Sequence, residues 1–496
     1  MPSGIRSAWI PIQMSRRPPR AVMVLGTTSG AGKSFLTTAL CRLYAREGYR
    51  VAPFKAQNMS NNARVVEGGE IGSAQYFQAR AARAKPEVRM NPILLKPEAD
   101  TRSQVVVLGQ VRHDVAEIPW KDRRSVLWPC IRQSLHDLLS DHEVIVIEGA
   151  GSPTEINLMA SDLVNLPVAR EVNASTVLIT DIDRGGAFAH LYGTYHYFPA
   201  QDRTRLRGFV LNRFRGDPGL LEPGPSMLEQ ETGIPTLATL PLWRAHGLPE
   251  EDALAYSPMP NANVTRRIAV IATPFISNHD EFQPLINLES VQLIWVRTPS
   301  EMRGLNGEDW VILPGSKQTQ KDLAWIKAQG LDVAIHQHAL CGGAVLGICG
   351  GLQMLGDLIE DPTGNEAYGS SMGLGLLPLI TRFHSEKVLR QVNVVLPQVQ
   401  GVWNALSGLT LSGYEIHHGV TALQSMDGAL ELIQGRCFQN HRGNVLGLYC
   451  HGLFESEAVI HALFGQTAQT LDEVFDGLSD FLLAHGGRDT WLSLLD

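Results

Sequence analysis

Twice in this chain an apolar run of β-type residues stops at glycines and passes straight into a helical pattern: AVMVLG into TTSGAGKS at 21–34, and VLGICGGLQMLG at 345–356. A strand that feeds a helix through a tight turn has to be packed back onto its own sheet, which makes the next strand parallel to the first. Further apolar runs at 50–54, 144–148, 175–181, 206–212 and 310–313 alternate with helical patterns. The expected class is therefore α/β, with mostly parallel sheets covered by helices on both faces and ligands at the carboxyl ends of the strands. At 496 residues the chain is too long for one ordinary core. Prolines, asparagines and mixed charge in LPEEDALAYSPMPNANVTRR suggest where it divides. The expected plan is a disordered extension over 1–20, one domain over 21–247, a linker over 248–266, a second domain over 267–468 and a helical tail over 469–496. In the tail, Leu471, Val474, Phe475, Leu478, Phe481 and Leu482 recur at helical spacing, and this helix is expected to cap the second domain.

The first junction has the composition of a phosphate-binding loop. Backbone NH groups of Ser29, Gly30, Ala31, Gly32, Lys33 and Ser34, with Thr28 just before them, would cradle phosphates at the helix N-terminus. Lys33 would reach the outer phosphates of ATP, and the Ser34 hydroxyl would meet Mg²⁺. The run 50–54 ends at Lys55, a cation suited to letting ATP and a substrate carboxylate approach each other. Beyond it, Gln57, Asn58, Ser60, Asn61 and Asn62 form a polar stretch, read as a loop facing a substrate rich in carboxylates and amides. Glu148 closes the run 144–148, where a second Mg²⁺ ligand of a P-loop enzyme belongs, and Glu155 and Asn157 could add polar contacts. Asp181 and Asp183, followed by Arg184, close the next run and are substrate-binding candidates.

At the second junction Gly347, Cys349 and Gly351 set a thiol between glycines at a strand-to-helix elbow, the geometry that lifts a nucleophile clear of the backbone. A helix beginning directly after Cys349 would favour its thiolate. A general base is needed, and His451 closes the β-type run in NVLGLYCHGLF about a hundred residues on.

These residues resemble the class I glutamine amidotransferase domain, which releases ammonia from glutamine with an elbow cysteine and a late histidine. PGSKQT at 314–319 is similar to its oxyanion loop, implying that backbone NH groups of Ser316 and Gly350 hold the oxyanion. The glutamate usually found two residues after the histidine is replaced by Leu453, as in the branch acting on cobalamin precursors; Glu455, Glu415 and His417 are the candidates to orient His451 instead. The first half, with Gly26-Thr27 ahead of SGAGKS, resembles the dethiobiotin synthetase group of ATP-dependent carboxylate-activating enzymes, which implies that Asn212 contacts adenine. Together, KAQNMSNNA, EGAGSPTEINL, TDIDRGGAF and LNRFRG followed by the amidotransferase half resemble the glutamine-hydrolysing amide ligases of cobalamin biosynthesis. That resemblance implies a corrinoid substrate, amidation of the b, d, e and g carboxylates of adenosylcobyrinic acid a,c-diamide, and a broad substrate face at 55–62. The alternatives are the sibling activity on the a and c carboxylates of cobyrinic acid, and a P-loop switch protein with a vestigial amidotransferase domain.

The remaining composition excludes other classes. A net charge of −8 and a pI near 6.1 argue against a nucleic-acid binder that works by neutralising phosphates. Six cysteines, none at metal-ligand spacing, fit a reducing compartment, so a cytoplasmic enzyme is expected. No apolar stretch reaches the roughly 18 residues of a membrane span, and the first twenty residues have no apolar segment of signal-peptide length.

Overall fold

The structure, a computed structural model, describes residues 20–99, 102–250, 263–425 and 427–496. The extension over 1–19 and most of the expected linker, 251–262, lie outside the described residues.

Five of the apolar runs and a further strand, Thr236–Pro241, form one all-parallel sheet in the spatial order Thr236–Pro241, Leu206–Phe214, Ser175–Asp181, Arg20–Gly26, Val144–Glu148, Val51–Phe54. Its central strands read as unbroken apolar sequence because both faces are covered. Val22 and Val24 face the helix Lys33–Arg46, while Met23, Leu25 and Ile147 belong to the core on the other side, with Leu127, Ile131, Leu135 and Leu138 of the helix Arg124–Asp141. Since the strands run the same way, Gly26, Lys55, Glu148, Asp181 and Asn212 are delivered to one edge of the sheet.

The second sheet has the order Val291–Val296, Arg266–Ile271, Trp310–Leu313, Ala344–Ile348, Val445–Leu448, Cys437–Asn440, Ala429–Ile433. Its first five strands are parallel and the last two antiparallel. The long hairpin Leu379–Val395 with Thr410–Leu423 leaves this domain and packs on the small hairpin Ala63–Val66 with Gly69–Gly72 of the first.

The fold departs from the sequence expectations at two places. The stretch after Lys55 is not a loop on a broad open face: Gln57–Met59 is a strand pairing with Ile93–Ala99, and Gln57, Asn58, Ser60 and Asn62 are buried. Asn58 bonds Gln75 at 3.1 Å, and the Ser60 hydroxyl accepts the Asn62 backbone NH at 3.0 Å. The tail helix, Leu471–Gly486, caps the first domain instead of the second. Val474, Phe475, Leu478 and Leu482 enter the core beside Leu36, Leu40 and Leu43, and Trp491 is fully buried there. Acidic residues at helical spacing guide the choice: Asp472 and Asp476 meet Arg42, and Asp480 meets Arg46 at 2.6 Å.

Candidate active sites

Cys349 joins the strand Ala344–Ile348 to the helix Gly350–Leu355 at φ 51° and ψ −106°. Such a backbone costs a non-glycine residue about 1–3 kcal/mol and persists only where its surroundings enforce it. The flanking glycines do so by admitting backbone that a side chain would exclude. A Cβ on Gly351 would fall 1.9 Å from the Leu313 carbonyl oxygen, and one on Gly347 would fall 2.7 Å from the Gly351 oxygen. A Cβ on Gly350 would lie 2.8 Å from the Ser316 nitrogen, so the backbones of Ser316 and Gly350 stand side by side. The Ser316 hydroxyl donates to Asp322 at 2.5 Å, which fixes the turn carrying it.

His451 is brought to the thiol by the strand Val445–Leu448, a parallel neighbour of the cysteine's own strand. The imidazole and the Cys349 thiol line one cavity and interact there, while the thiol also donates to the Ile416 carbonyl at 3.5 Å. On its far side Nδ1 donates to Glu281 Oε1 at 2.9 Å, while Glu281 Oε2 accepts the Gly452 backbone NH at 2.9 Å. The ring stacks on Tyr414 at 5.2 Å. Burial alone would lower the pKa of His451, but the charges of Glu281 and Cys349 outweigh it and raise the imidazole to about 10. At neutral pH the ring therefore holds its proton.

None of the three expected partners orients His451. Glu455 is bonded to Arg64, and Glu415 accepts from Arg390 and Arg436 at 2.7 Å each, with His417 3.6 Å away. The acid that does so, Glu281, lies 170 residues before the histidine in the short turn His279–Phe282 and is fully buried. Nothing in the sequence next to the histidine points to Glu281; its one mark is the acidic pair in SNHDEF, set in an otherwise apolar region.

The cavity beside Cys349 and His451 is lined by Ser316, Lys317, Thr319, Gln353 and Glu366 of the second domain and by Asn61 and Lys96 of the first. Burial pushes Glu366 up to about 8. Burial, aided by the neighbouring Lys387 and Lys317, brings Lys96 down to about 7 against the pull of Glu70. Asn61 thus lies in the thiol cavity and not on an open face beside the phosphate loop.

At the other site the loop Thr28 to Gly32 turns through positive φ at Gly30 (70°) and Gly32 (104°). A Cβ on Gly32 would sit 2.1 Å from Asn212 Nδ2, whose hydrogens go to the Ala31 carbonyl at 3.0 Å, so Asn212 braces the loop with its amide nitrogen. Lys33 donates to the Thr28 and Gly151 carbonyls at 3.0 and 3.1 Å. Glu148 is the hub: it accepts from Ser34 Oγ at 2.9 Å, from Lys55 Nζ at 2.7 Å and from Gln78 Nε2. Burial would raise its pKa, yet Lys55, Gln78 and Lys33 outweigh that and keep it below the ordinary carboxylate value. Asp181 pairs with Arg213 at 3.0 Å and Arg184 at 3.3 Å, and the exposed Asp183 pairs with Arg215. Glu155 and Asn157 are exposed.

A hydroxyl and an ionised carboxylate 2.9 Å apart are a donor pair that fits magnesium, an ion that takes few protein ligands and leaves its other positions to phosphates and water. Among the described residues no cluster of three or more His, Cys, Asp or Glu forms a metal cage of its own.

Residues 22–251 match the CobQ/CobB/MinD/ParA nucleotide binding domain, and residues 267–459 match the CobB/CobQ-like glutamine amidotransferase domain. The cobyric acid synthase of Variovorax paradoxus (strain S110) is 61% identical over 94% of this chain and 97% of its own length. That of Leptothrix cholodnii is 58% identical over 95% and 96%, and that of Polaromonas sp. (strain JS666) 56% identical over 95% and 97%. With an elbow thiol held against a buried imidazole, a phosphate loop at the opposite end of the chain and relatives matched over nearly their full length, the chain belongs to the cobyric acid synthase family.

Proposed function

We propose that this chain converts adenosylcobyrinic acid a,c-diamide to adenosylcobyric acid by amidating its b, d, e and g carboxylates, with ATP as activator and glutamine as nitrogen donor. The observation that carries the proposal is the pair of sites in one polypeptide: Cys349 against His451, and Lys33, Ser34, Lys55 and Glu148 gathered at the phosphate loop.

In the thiol site, the Cys349 thiolate attacks the side-chain amide carbon of glutamine while the Ser316 and Gly350 NH groups hold the oxyanion. His451, already protonated, gives its proton to the departing nitrogen, releasing ammonia and leaving a glutamyl thioester. The now neutral ring takes a proton from water, whose oxygen displaces the thiolate and yields glutamate. Glu281 keeps the ring in register through both steps.

In the nucleotide site, a corrinoid carboxylate oxygen attacks the terminal phosphorus of ATP, ADP departs, and an acyl phosphate forms. Lys33 and Lys55 offset the charge of two anions brought together. Ser34 and Glu148 would hold magnesium, which would supply further neutralisation of the phosphate oxygens. Ammonia then attacks the acyl carbon and phosphate leaves. Activation is needed because a carboxylate is a poor electrophile at neutral pH. We assign an adenine contact to Asn212, which braces the phosphate loop, and substrate contacts to Asp181 and Asp183, which are delivered to the same end of the sheet.

Six unpaired cysteines support a reducing, cytoplasmic setting, and no helix among the described residues is long and apolar enough to cross a membrane. The test is incubation with MgATP, glutamine and either adenosylcobyrinic acid a,c-diamide or cobyrinic acid. Fourfold amidation of the first is expected; twofold amidation of the second alone would assign the chain to the sibling reaction.

A further inference from the structure

The groups that hold Glu281 in place come from the other domain. Asn62 Nδ2 lies 3.0 Å from His279 Nε2, and the Ala63 backbone NH donates to Asn278 Oδ1 at 3.0 Å. The next residue, Arg64, bonds Asp280 through one guanidinium nitrogen and Glu455 through another. These three consecutive residues of the first domain thus grip the turn His279–Phe282 that carries Glu281. The Arg64 guanidinium also lies 5.0 Å from the centre of the Tyr414 ring, and that ring stacks on His451 at 5.2 Å and 18°. Arg64 is 1% exposed, Asp280 3%, Glu281 0% and His451 1%, so the cluster is shielded from solvent.

The charges explain why an arginine stands there. Asp280 and Glu281 are adjacent buried carboxylates with the more exposed Glu455 at their rim, and His451 can offset only the one it touches. Left alone, two buried carboxylates repel each other and the third, and the turn would have to move or take up protons. A planar guanidinium with several donors can satisfy two carboxylates at once and still lie against an aromatic ring.

We propose that Arg64 is a positioning residue for glutamine hydrolysis: the nucleotide-binding domain supplies the counter-charge that holds the Glu281 turn and Tyr414 against His451, so the thiol site is complete only when the two domains are docked. This rests on the reading of Cys349 and His451 as a glutaminase. It gives the enzyme a physical way to withhold ammonia, because parting the domains removes the support of the base. It also accounts for an orienting acid far from the histidine in sequence: a glutamate two residues after His451 would be independent of the first domain, whereas Glu281 is not.

The test uses full-length Arg64→Met and Arg64→Lys, with glutamate release and ammonia-driven corrinoid amidation measured separately. Arg64→Met is expected to lower kcat for glutamine hydrolysis about tenfold or more, with KM for glutamine and ammonia-driven amidation each within about twofold of wild type. Arg64→Lys, which keeps the charge but not the fork, should recover part of the loss. An unchanged kcat, a change confined to KM, or equal loss of both activities would overturn the proposal. Should Arg64→Met fail to fold, Arg64→Lys and Asn62→Ala decide, each expected to lower glutaminase kcat about threefold with ammonia-driven amidation retained, and no loss in either overturning it. Failure of the underlying reading looks different: Cys349→Ala would then still hydrolyse glutamine.

Discussion

In the proposed hydrolysis one imidazole serves both steps, and Glu281 bonds that imidazole at 2.9 Å. Glu281→Gln keeps the shape and one hydrogen bond but removes the charge that holds the ring as imidazolium. Steady-state assays should show glutamine hydrolysis reduced about tenfold to a hundredfold, with ammonia-driven amidation intact; an unaffected glutaminase would mean that the contact does not orient the base. The same pair makes stability depend on pH. Unfolded, the imidazole titrates near 6.5, whereas in the folded site it keeps its proton to about 10. The stabilisation is whole below 6.5 and is lost as pH rises through 10. In chemical denaturation, the stability gap between wild type and Glu281→Gln should therefore narrow over that range, and a gap that widened would contradict the ion pair. Cys349 could be singled out from sequence because an elbow leaves a local mark, glycines at fixed offsets. Glu281 could not, because its partner is reached only through tertiary packing and spacing carries no record of it.

At the scale of elements, the glycines around Cys349 and the tail helix test two different kinds of packing. Gly351→Ala would push a methyl group against the Leu313 carbonyl, a backbone atom that cannot swing aside. A loss of about 1–3 kcal/mol in unfolding free energy is expected, together with loss of glutaminase activity as the elbow shifts. Trp491 is fully buried, donates to the Leu482 carbonyl at 2.8 Å, and its own carbonyl accepts from Tyr44 at 2.8 Å. Trp491→Ala should cost about 3–5 kcal/mol and, measured by hydrogen exchange, loosen the helix Lys33–Arg46 before the second sheet; the reverse order would contradict the tail's place. The amphipathic period of that tail was legible, but its destination was not. Helical spacing says which face is buried and not against what; the pairing of Asp472, Asp476 and Asp480 with Arg42 and Arg46 spans more than four hundred residues. The strands at 21–26 and 144–148 were legible because burial on both faces leaves unbroken apolar runs. The strand Gln57–Met59 was not, since its two buried side chains, Gln57 and Asn58, are polar and its one apolar side chain, Met59, is exposed.

At the scale of the whole molecule, the two chemistries are joined by one stretch of chain. Lys55 stands at the phosphate loop, Asn61 in the thiol cavity and Arg64 under the base's supporting turn. This is the segment whose composition alone suggested a polar surface, and it puts residues of the first domain into the thiol cavity and under the turn that carries Glu281. Lys33→Ala should abolish amidation with either nitrogen source, because activation of the carboxylate precedes both. The measurement that bears most directly on the coupled mechanism is amidation of adenosylcobyrinic acid a,c-diamide by Cys349→Ala with MgATP, run once with glutamine and once with ammonium. The account predicts no product with glutamine and near wild-type turnover with ammonium; amidation that persists with glutamine would contradict it.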